Sequence, residues 1–213
     1  MESNYDRVCH QWQAKFLTWN HAQQMENLSF STFDDQFVHL VYLTKAYAID
    51  RKTGVITEEN SPKNPVPFSV QMALYHIQYY AKPNPKTCGQ WVPFRDVPRA
   101  GPFNDAFQKT IVAPCAQFFA GRPEFLRQTA QNLDFPLLDH GDVSFLVKLF
   151  PNLYLKFIFW DGDEEFPAQL NILFDKNIID FTHEETVVMM AGDACDLLCG
   201  RLNPENYGNY EQK

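Results

Sequence analysis

Alternating apolar residues mark the clearest secondary structure of the chain, between residues 143 and 160. The apolar side chains fall on odd positions, whereas Lys148 and Lys156 fall on even ones. This alternation predicts two β-strands with one buried face, and Pro151 and Asn152 predict the turn between them. A slip of one residue would bury both lysines, so we expect a fixed register. Burying the apolar set contributes roughly 12 to 24 kcal/mol before chain entropy is subtracted. The set comprises Val143, Phe145, Val147, Leu149, Leu153, Leu155, Phe157 and Phe159.

The remaining elements follow from patterns of the same kind. Apolar residues spaced three and four apart predict helices, and short runs rich in β-branched or aromatic residues predict strands. The predicted helices cover residues 4–24, 68–81, 104–119 and 123–133. The predicted strands cover residues 37–43, 46–49, 55–57, 170–174 and 178–181. Residues 90–98 are expected to be extended, and Pro93 confines them to a sheet edge or a loop because it lacks a backbone N–H.

A last helix has clear signals at both ends. Thr182 and Glu185 match the pattern of a capping box, which predicts the start of the helix, and Gly200 fits its end. Pro114 should bend the helix predicted over residues 104–119. The elements together predict an α+β fold, in which antiparallel β-meanders form a sheet packed by N-terminal, central and C-terminal helices. We expect residues 1–202 to form a single domain and residues 203–213 to form a C-terminal tail.

Size and charge narrow the class of protein. The chain has 213 residues, of which 45% are hydrophobic, so a packed core needs no disulfide or metal. The formal net charge of −8 argues against binding to nucleic acid or to an anionic membrane, because both rely on clustered Lys and Arg. The first residues show no secretory signal, and no stretch approaches about 18 uninterrupted apolar residues. We therefore expect a cytoplasmic protein.

Two polar segments flanked by tryptophan are candidate sites for a ligand. The first, the acidic turn at residues 160–167, carries four carboxylates in five positions. The second, the Trp91 segment at residues 91–99, combines an indole ring with arginine, whose planar guanidinium binds carboxylates and phosphates. A pocket between the two segments would suit a small anionic, partly aromatic ligand. The candidate ligand-binding residues are Trp91, Arg95, Asp96, Trp160, Asp161, Asp163 and Glu165. The alternative is structural: Arg95 pairs with the acidic turn and fastens two loops together.

Two other functions remain open on the sequence. In a metal-dependent enzyme, Asp161, Asp163 and Glu165 would hold a divalent cation, and His140 or Asp142 would act as the base. Ordinary turn composition explains the same carboxylates without a metal, and their spacing does not match a calcium-binding loop. In an interaction module, the acidic turn or an exposed sheet edge would dock a partner protein.

Cysteine and histidine add no further site. Cys195 and Cys199 lie four apart on the predicted last helix, but two thiols do not complete a metal site, so we interpret them as core packing. Five cysteines form an odd, scattered set, and we expect reduced thiols. The six histidines have no metal-binding spacing, and the chain lacks a nucleophile elbow, a phosphate-binding glycine loop and a dinucleotide fingerprint. The sequence therefore identifies neither a catalytic motif nor a cofactor.

Four runs of residues carry a resemblance to a known family. They are Gln90 to Asp96, Gly141-Asp142, Trp160 to Pro167, and Leu173-Phe174-Asp175. Together they resemble the prokaryotic family called domain of unknown function 3786, over most of the chain. The family is typical of anaerobic bacteria and archaea, and some members are labelled iron–sulfur proteins because of an added cysteine-rich segment. This chain lacks any cluster-binding cysteine run, so the resemblance implies no iron–sulfur role and supplies no catalytic residues.

Overall fold

The computed structural model describes residues 3–28 and 30–202. Within these residues, two antiparallel sheets and surrounding helices form an α+β fold, as predicted, although the meanders form two sheets rather than one. The strands are β1 Thr32–Phe33, β2 Phe37–Tyr42, β3 Lys45–Asp50, β4 Ile56–Glu58, β5 Trp91–Pro93, β6 Leu137–Leu138, β7 Val143–Phe150, β8 Leu153–Trp160 and β9 Gln169–Asp175. The helices are α1 Asn4–Phe16, α2 His21–Asn27, α3 Phe68–Tyr80, α4 Asn104–Phe107, α5 Ala113–Phe119, α6 Pro123–Asn132 and α7 Glu184–Leu198.

The hairpin of β7 and β8 has the predicted register. Phe145 lies opposite Phe157, and their rings stack with centroids 5.4 Å apart. Phe157 and its apolar neighbours on the odd positions are buried, whereas Lys148 on the other face is exposed. The register shifts between Lys148 and Phe150, so Phe150 also points into the core opposite Leu153. This bulge was not predicted, because strict alternation extends through Leu149 in the sequence.

The two sheets meet at the core, which holds side chains of both. The strand order is β1-β2-β3-β4 in one sheet and β5-β9-β8-β7-β6 in the other. The backbone N–H of Leu43 donates to the Leu149 carbonyl at 2.8 Å, and the Tyr42 and Phe150 rings lie 5.0 Å apart. Helix α3 packs against α1 and α7, and it is buried on several sides as predicted. Strand β5 is an edge strand, which agrees with the position of Pro93.

Residues 4–24 form two helices rather than the single helix predicted. Helix α1 ends at Phe16, and α2 starts after Asn20, whose side-chain oxygen accepts a hydrogen bond from the Gln23 backbone N–H at 3.3 Å. Asparagine competes with the helix for backbone hydrogen bonds, so it favours the start of a new helix over the middle of one. Trp19, assigned to the helical stripe, lies in the connection instead.

The helix predicted over residues 104–119 changes its hydrogen-bond pattern before Pro114. Helix α4 continues into a π-helical turn at Gln108–Val112, which leads into α5. Proline donates no backbone N–H and crowds the preceding turn, and a widened turn accommodates both effects. Helix α6 follows at the predicted place.

Two predictions around the last helix are wrong. Residues 178–181 do not form a strand, because Ile178–Asp180 forms a single 3₁₀ turn that buries the Ile178 side chain. The capping box of Thr182 and Glu185 does not form either. Helix α7 begins one residue later, His183 Nδ1 accepts from the Glu185 N–H at 3.4 Å, and the buried Thr182 hydroxyl has no partner among the described residues.

Other expectations concern the ends and the extent of the fold. Gly200 has φ of 69° and donates its N–H to the Leu197 carbonyl, which confirms the predicted end of the last helix. The predicted tail at residues 203–213 lies outside the described residues, and a single domain over residues 1–202 stays a prediction. Within the described part of the chain, no helix combines the length and the apolarity needed to cross a lipid bilayer.

Candidate functional site

The five-stranded sheet turns one face away from the core, and both candidate tryptophans lie on it. Trp91 lies opposite Asp175 at one end of β9, and Trp160 lies opposite Gln169 at the other. Directly opposed residues share a face, and residues 169 and 175 share one because their numbers differ by an even count. We call this the outer face. On β5, β8 and β9 it carries Trp91, Pro93, Tyr154, Lys156, Ile158, Trp160, Gln169, Asn171, Leu173 and Asp175.

The outer face is most exposed to solvent at its Trp160 end, whereas Ile158 and Asp175 are buried. Trp160, Gln169 and Asn171 are exposed, and Trp91 is half-buried. The opposite face of β8 is different, since Phe157 and its neighbours on that side are buried in the core. The sheet therefore presents a mixed aromatic and polar surface that is exposed at its Trp160 end and half-buried at Trp91.

Two shallow hollows lie at the two ends of the outer face. The first hollow has a volume of about 300 Å³ and is lined by Trp160, Asp161, Phe166, Pro167, Gln169 and Asn171. The second hollow has a volume of about 210 Å³ and is lined by Thr87, Gly89, Trp91, Asn152, Tyr154 and Asp175. Gln169 in the first hollow and Asp175 in the second are six positions apart on β9, a distance of about 20 Å along the strand at about 3.3 to 3.4 Å per residue.

The two candidate segments border separate hollows. Trp91 lines the second hollow, whereas Trp160 and Asp161 line the first. Arg95 and Asp96 line neither, and their side chains are 70% and 56% exposed. Arg95 Nε lies 3.9 Å from Asp96 Oδ1, and within residues 3–28 and 30–202 no ion pair joins Arg95 to the acidic turn.

Aspartates of the acidic turn hold its backbone in place. Asp161 Oδ1 accepts hydrogen bonds from the N–H groups of Gly121 at 2.8 Å and Gly162 at 2.9 Å. Asp163 Oδ1 accepts from Glu165 and Phe166, both at 2.8 Å, and these bonds hold the pKa of the Asp163 carboxyl below its usual range. The turn is therefore a rigid structure, and these oxygens already have donors.

The loop before β7 braces the same turn. Asp142 Oδ2 accepts from the Asp161 N–H at 2.7 Å, and the Asp142 carbonyl accepts from the Arg127 guanidinium at 2.6 Å. Gly141 has φ of 59°, and a Cβ there would lie 2.6 Å from the Phe159 carbonyl oxygen. The close packing of this loop explains why glycine precedes Asp142.

The geometry gives no support to a metal-dependent enzyme. In residues 3–28 and 30–202, no group of three or more His, Cys, Asp or Glu side chains is arranged to hold a metal ion. The proposed base Asp142 caps the acidic turn, and the His140 backbone N–H donates to Ser144 Oγ at 3.0 Å. These contacts assign a structural role to the loop.

Asp175 organises the second hollow, and sequence reasoning gave it no role. Its carboxylate is buried and accepts hydrogen bonds from the backbone N–H groups of Cys88 at 3.1 Å, Gly89 at 2.7 Å and Asn177 at 2.9 Å. The bonds tie residues 88 and 89 to the end of β9 and so position Trp91 on β5. The sequence signal was an aspartate at the end of an apolar strand, directly before a turn.

A buried acid beneath α7 was also missed. Asp193 is 2% exposed and accepts hydrogen bonds from the Tyr42 hydroxyl at 2.9 Å and the Ser69 hydroxyl at 2.5 Å. Burial raises the pKa of Asp193 to about 7 from an ordinary value of 3.8. Asp193 follows Met190 by three residues, so helical spacing alone would have placed it on the apolar side of the predicted helix.

The cysteines of α7 lie beside a third thiol. Cys115 on α5 is the neighbour of both, and its interaction with Cys199, together with burial, raises the pKa of Cys199. Cys115 and Cys195 are buried, Cys199 is half-buried, and all five cysteines are free thiols. Protonated, buried thiols behave as small apolar side chains, which agrees with the packing role predicted for Cys195 and Cys199.

Comparison with known proteins gives one match. No curated protein and no solved structure matches the chain. A family model matches residues 21–196, which is well over half of the chain and includes both hollows and the acidic turn. The chain therefore belongs to the family described as Domain of unknown function (DUF3786).

Proposed function

We propose that the protein is a binding module that holds an extended segment of a partner protein across the outer face of its five-stranded sheet. The observation that carries the proposal is the placement of Trp91 and Trp160 at opposite ends of one open face. Tryptophan is among the residues that contribute most to binding free energy at protein interfaces. Two such anchors on a rigid sheet suit an elongated occupant.

The shape of the face favours a peptide over a small molecule. Sites for small molecules are concave, commonly about 300 to 1,000 Å³, and enclose most of their ligand. The two hollows hold about 300 and 210 Å³ and lie at opposite ends of β9. An extended chain advances about 3.3 Å per residue, so about six residues would span the length of β9 from Gln169 in the first hollow to Asp175 in the second.

Charge favours a basic segment at one end of the face. Asp163, Glu164 and Glu165 are exposed beside the first hollow, and the whole chain carries a net charge of −8. Opposite charges on two partners raise their association rate and fix their orientation. We therefore expect the partner segment to place a basic side chain near Trp160.

Binding of a small anionic ligand by Trp91, Arg95 and Asp96 stays a second prediction. Trp91 lines a hollow, but Arg95 borders neither hollow and points its charge into solvent. Titration with anionic aromatic metabolites tests this alternative. Binding that is lost in Arg95→Ala and retained in Trp160→Ala would favour it over a peptide across the face.

Selection from a library of random heptapeptides tests the proposal. Enriched peptides should bind the intact protein, and each of Trp91→Ala and Trp160→Ala should weaken binding by about tenfold, the effect expected for an interface tryptophan. Phe33→Ala is the matched control, because Phe33 is 43% exposed on the other sheet. The enriched peptides should bind Phe33→Ala with an affinity within about twofold of that for the wild type, because this residue lies away from the proposed interface.

Two results would contradict the proposal. One is a selection that enriches no peptide above background at high protein concentration. The other is an enriched peptide whose affinity is unchanged in both tryptophan variants, which would place its binding site elsewhere.

A further inference from the structure

The first hollow has walls of two kinds, aromatic rings and oxygen-bearing side chains. Trp160 is 38% exposed and Phe166 is 62% exposed, although aromatic side chains of this size are usually covered. Asp161 supplies a carboxylate, and Gln169 and Asn171 supply carboxamides. The hollow is therefore open to a ligand that contacts aromatic faces and hydrogen-bond acceptors together.

The carboxylate at this hollow keeps one oxygen available. Asp161 Oδ1 accepts the N–H groups of Gly121 and Gly162, whereas no described residue donates to Oδ2. These two hydrogen bonds hold the carboxylate in place, and residue 162 must be small because a Cβ there would lie 2.8 Å from the Ala168 backbone nitrogen. The acceptor is thus preorganised, which lowers the entropy lost when a donor binds.

These features match a guanidinium group better than an ammonium group or an anion. A guanidinium is planar, stacks on aromatic rings, carries five N–H donors and is weakly hydrated. An ammonium group is compact and strongly hydrated, so it loses more by leaving water. An anion would meet the exposed carboxylates of Asp163, Glu164 and Glu165.

We propose that the first hollow recognises an arginine side chain. The inference rests on the proposed function, since it identifies the basic side chain of the partner segment. The guanidinium stacks on the Trp160 and Phe166 rings and donates to Asp161 Oδ2 and to the carboxamide oxygens of Gln169 and Asn171. Its alkyl part then leads back along β9 toward the second hollow.

Single-residue probes test the pocket without a known partner. N-acetyl-arginine amide, N-acetyl-lysine amide and N-acetyl-citrulline amide are titrated into the labelled protein, with the Gly162 and Phe166 amide resonances as the readout. The arginine probe should bind with a saturable shift, about two- to fivefold more tightly than the lysine probe. Citrulline has the same shape without the charge, and it should bind more weakly than either charged probe.

Variants locate the binding site. Asp161→Asn retains one side-chain oxygen for Gly121 and Gly162, so the turn keeps its fold while the charge is lost. The arginine probe should bind this variant about fivefold more weakly. Phe33→Ala, on the other sheet, is the matched control and should leave the affinity for the arginine probe unchanged.

The outcomes separate this inference from the proposed function. Equal shifts with the arginine and lysine probes, or unchanged binding in Asp161→Asn, would overturn arginine recognition. A library peptide that needs both tryptophans but tolerates Arg→Lys would overturn it while leaving the binding module intact. A library that yields no peptide would contradict the binding module, whereas the single-residue probes would still decide for or against the pocket.

Discussion

The stability of the protein should fall as rising pH removes the proton from the buried carboxyl of Asp193. This side chain is 2% exposed and its neighbours are the Tyr42 and Ser69 hydroxyls rather than a cation. Burial is the largest cause of its raised pKa, because the charged form loses its hydration in the protein interior. Ionisation therefore costs free energy in the folded state that it does not cost in the unfolded chain.

The magnitude follows from the difference between the two pKa values. The pKa rises from 3.8 to about 7 on folding. A difference of about three units corresponds to about 4 kcal/mol at roughly 1.4 kcal/mol per unit. Between these values the folded state binds more protons than the unfolded state, so stability decreases with rising pH. The stabilisation of the folded state by the protonated Asp193 carboxyl is fully present below pH 3.8. It decreases as the pH rises and has been lost once the pH exceeds the folded pKa of about 7.

Urea unfolding of the wild type and Asp193→Asn measures this effect. The variant cannot ionise at position 193, and subtraction removes the contributions of the other titrating groups. Between about pH 4 and about pH 8, the free energy of unfolding of the wild type should fall by about 3 to 4 kcal/mol relative to the variant. A difference that stays constant across this range would refute the reasoning, since it would mean that the folded protein ionises Asp193 without penalty.

Two further predictions concern His39 and Gly141. His39 Nδ1 lies 2.7 Å from Glu59 Oε1 and Nε2 lies 3.3 Å from Asp34 Oδ2, and these bonds raise the pKa of His39. The free energy of unfolding of the wild type should therefore exceed that of His39→Ala below the ordinary pKa of 6.5, and this difference should be lost as pH rises through the raised value. An NMR titration that gives a pKa at or below 6.5 would contradict this. Gly141→Ala should destabilise the fold by about 2 kcal/mol or more in urea unfolding, because it combines positive φ with a clash at the Phe159 carbonyl. Gly89→Ala, which has positive φ but open space, is the control, and an equal cost in both variants would exclude the clash.

Local patterns in the sequence were sufficient for the strongest elements. Alternation between Val143 and Trp160 predicted both strands and their register, because burial of one face excludes a shifted pairing. The same reasoning missed the bulge near Leu149, where Phe150 joins the core. It also placed one long helix where Asn20 starts a second, because apolar spacing alone does not detect a cap.

The arrangement of the candidate site depended on contacts between distant parts of the chain. Trp91 and Trp160 were identified from composition, but their relation depends on β9, which pairs with β5 on one side and β8 on the other. Each strand reveals its own alternation, whereas the order of strands in a sheet is a property of the whole fold. The sequence therefore singled out both tryptophans but did not show that they lie at opposite ends of one strand. Arg95 borders neither hollow, and a local pattern does not show where a charged side chain points.

The indole N–H resonances of the four tryptophans give the most direct test of the outer face as a binding surface. A selected heptapeptide is titrated into labelled protein, and each indole is assigned by substitution. If the outer face binds the peptide, the resonances of Trp91 and Trp160 shift together with one affinity, while those of Trp12 and Trp19, which pack beside α3, stay unchanged. Shifts confined to Trp12 and Trp19, or a bound peptide that moves neither Trp91 nor Trp160, would contradict it.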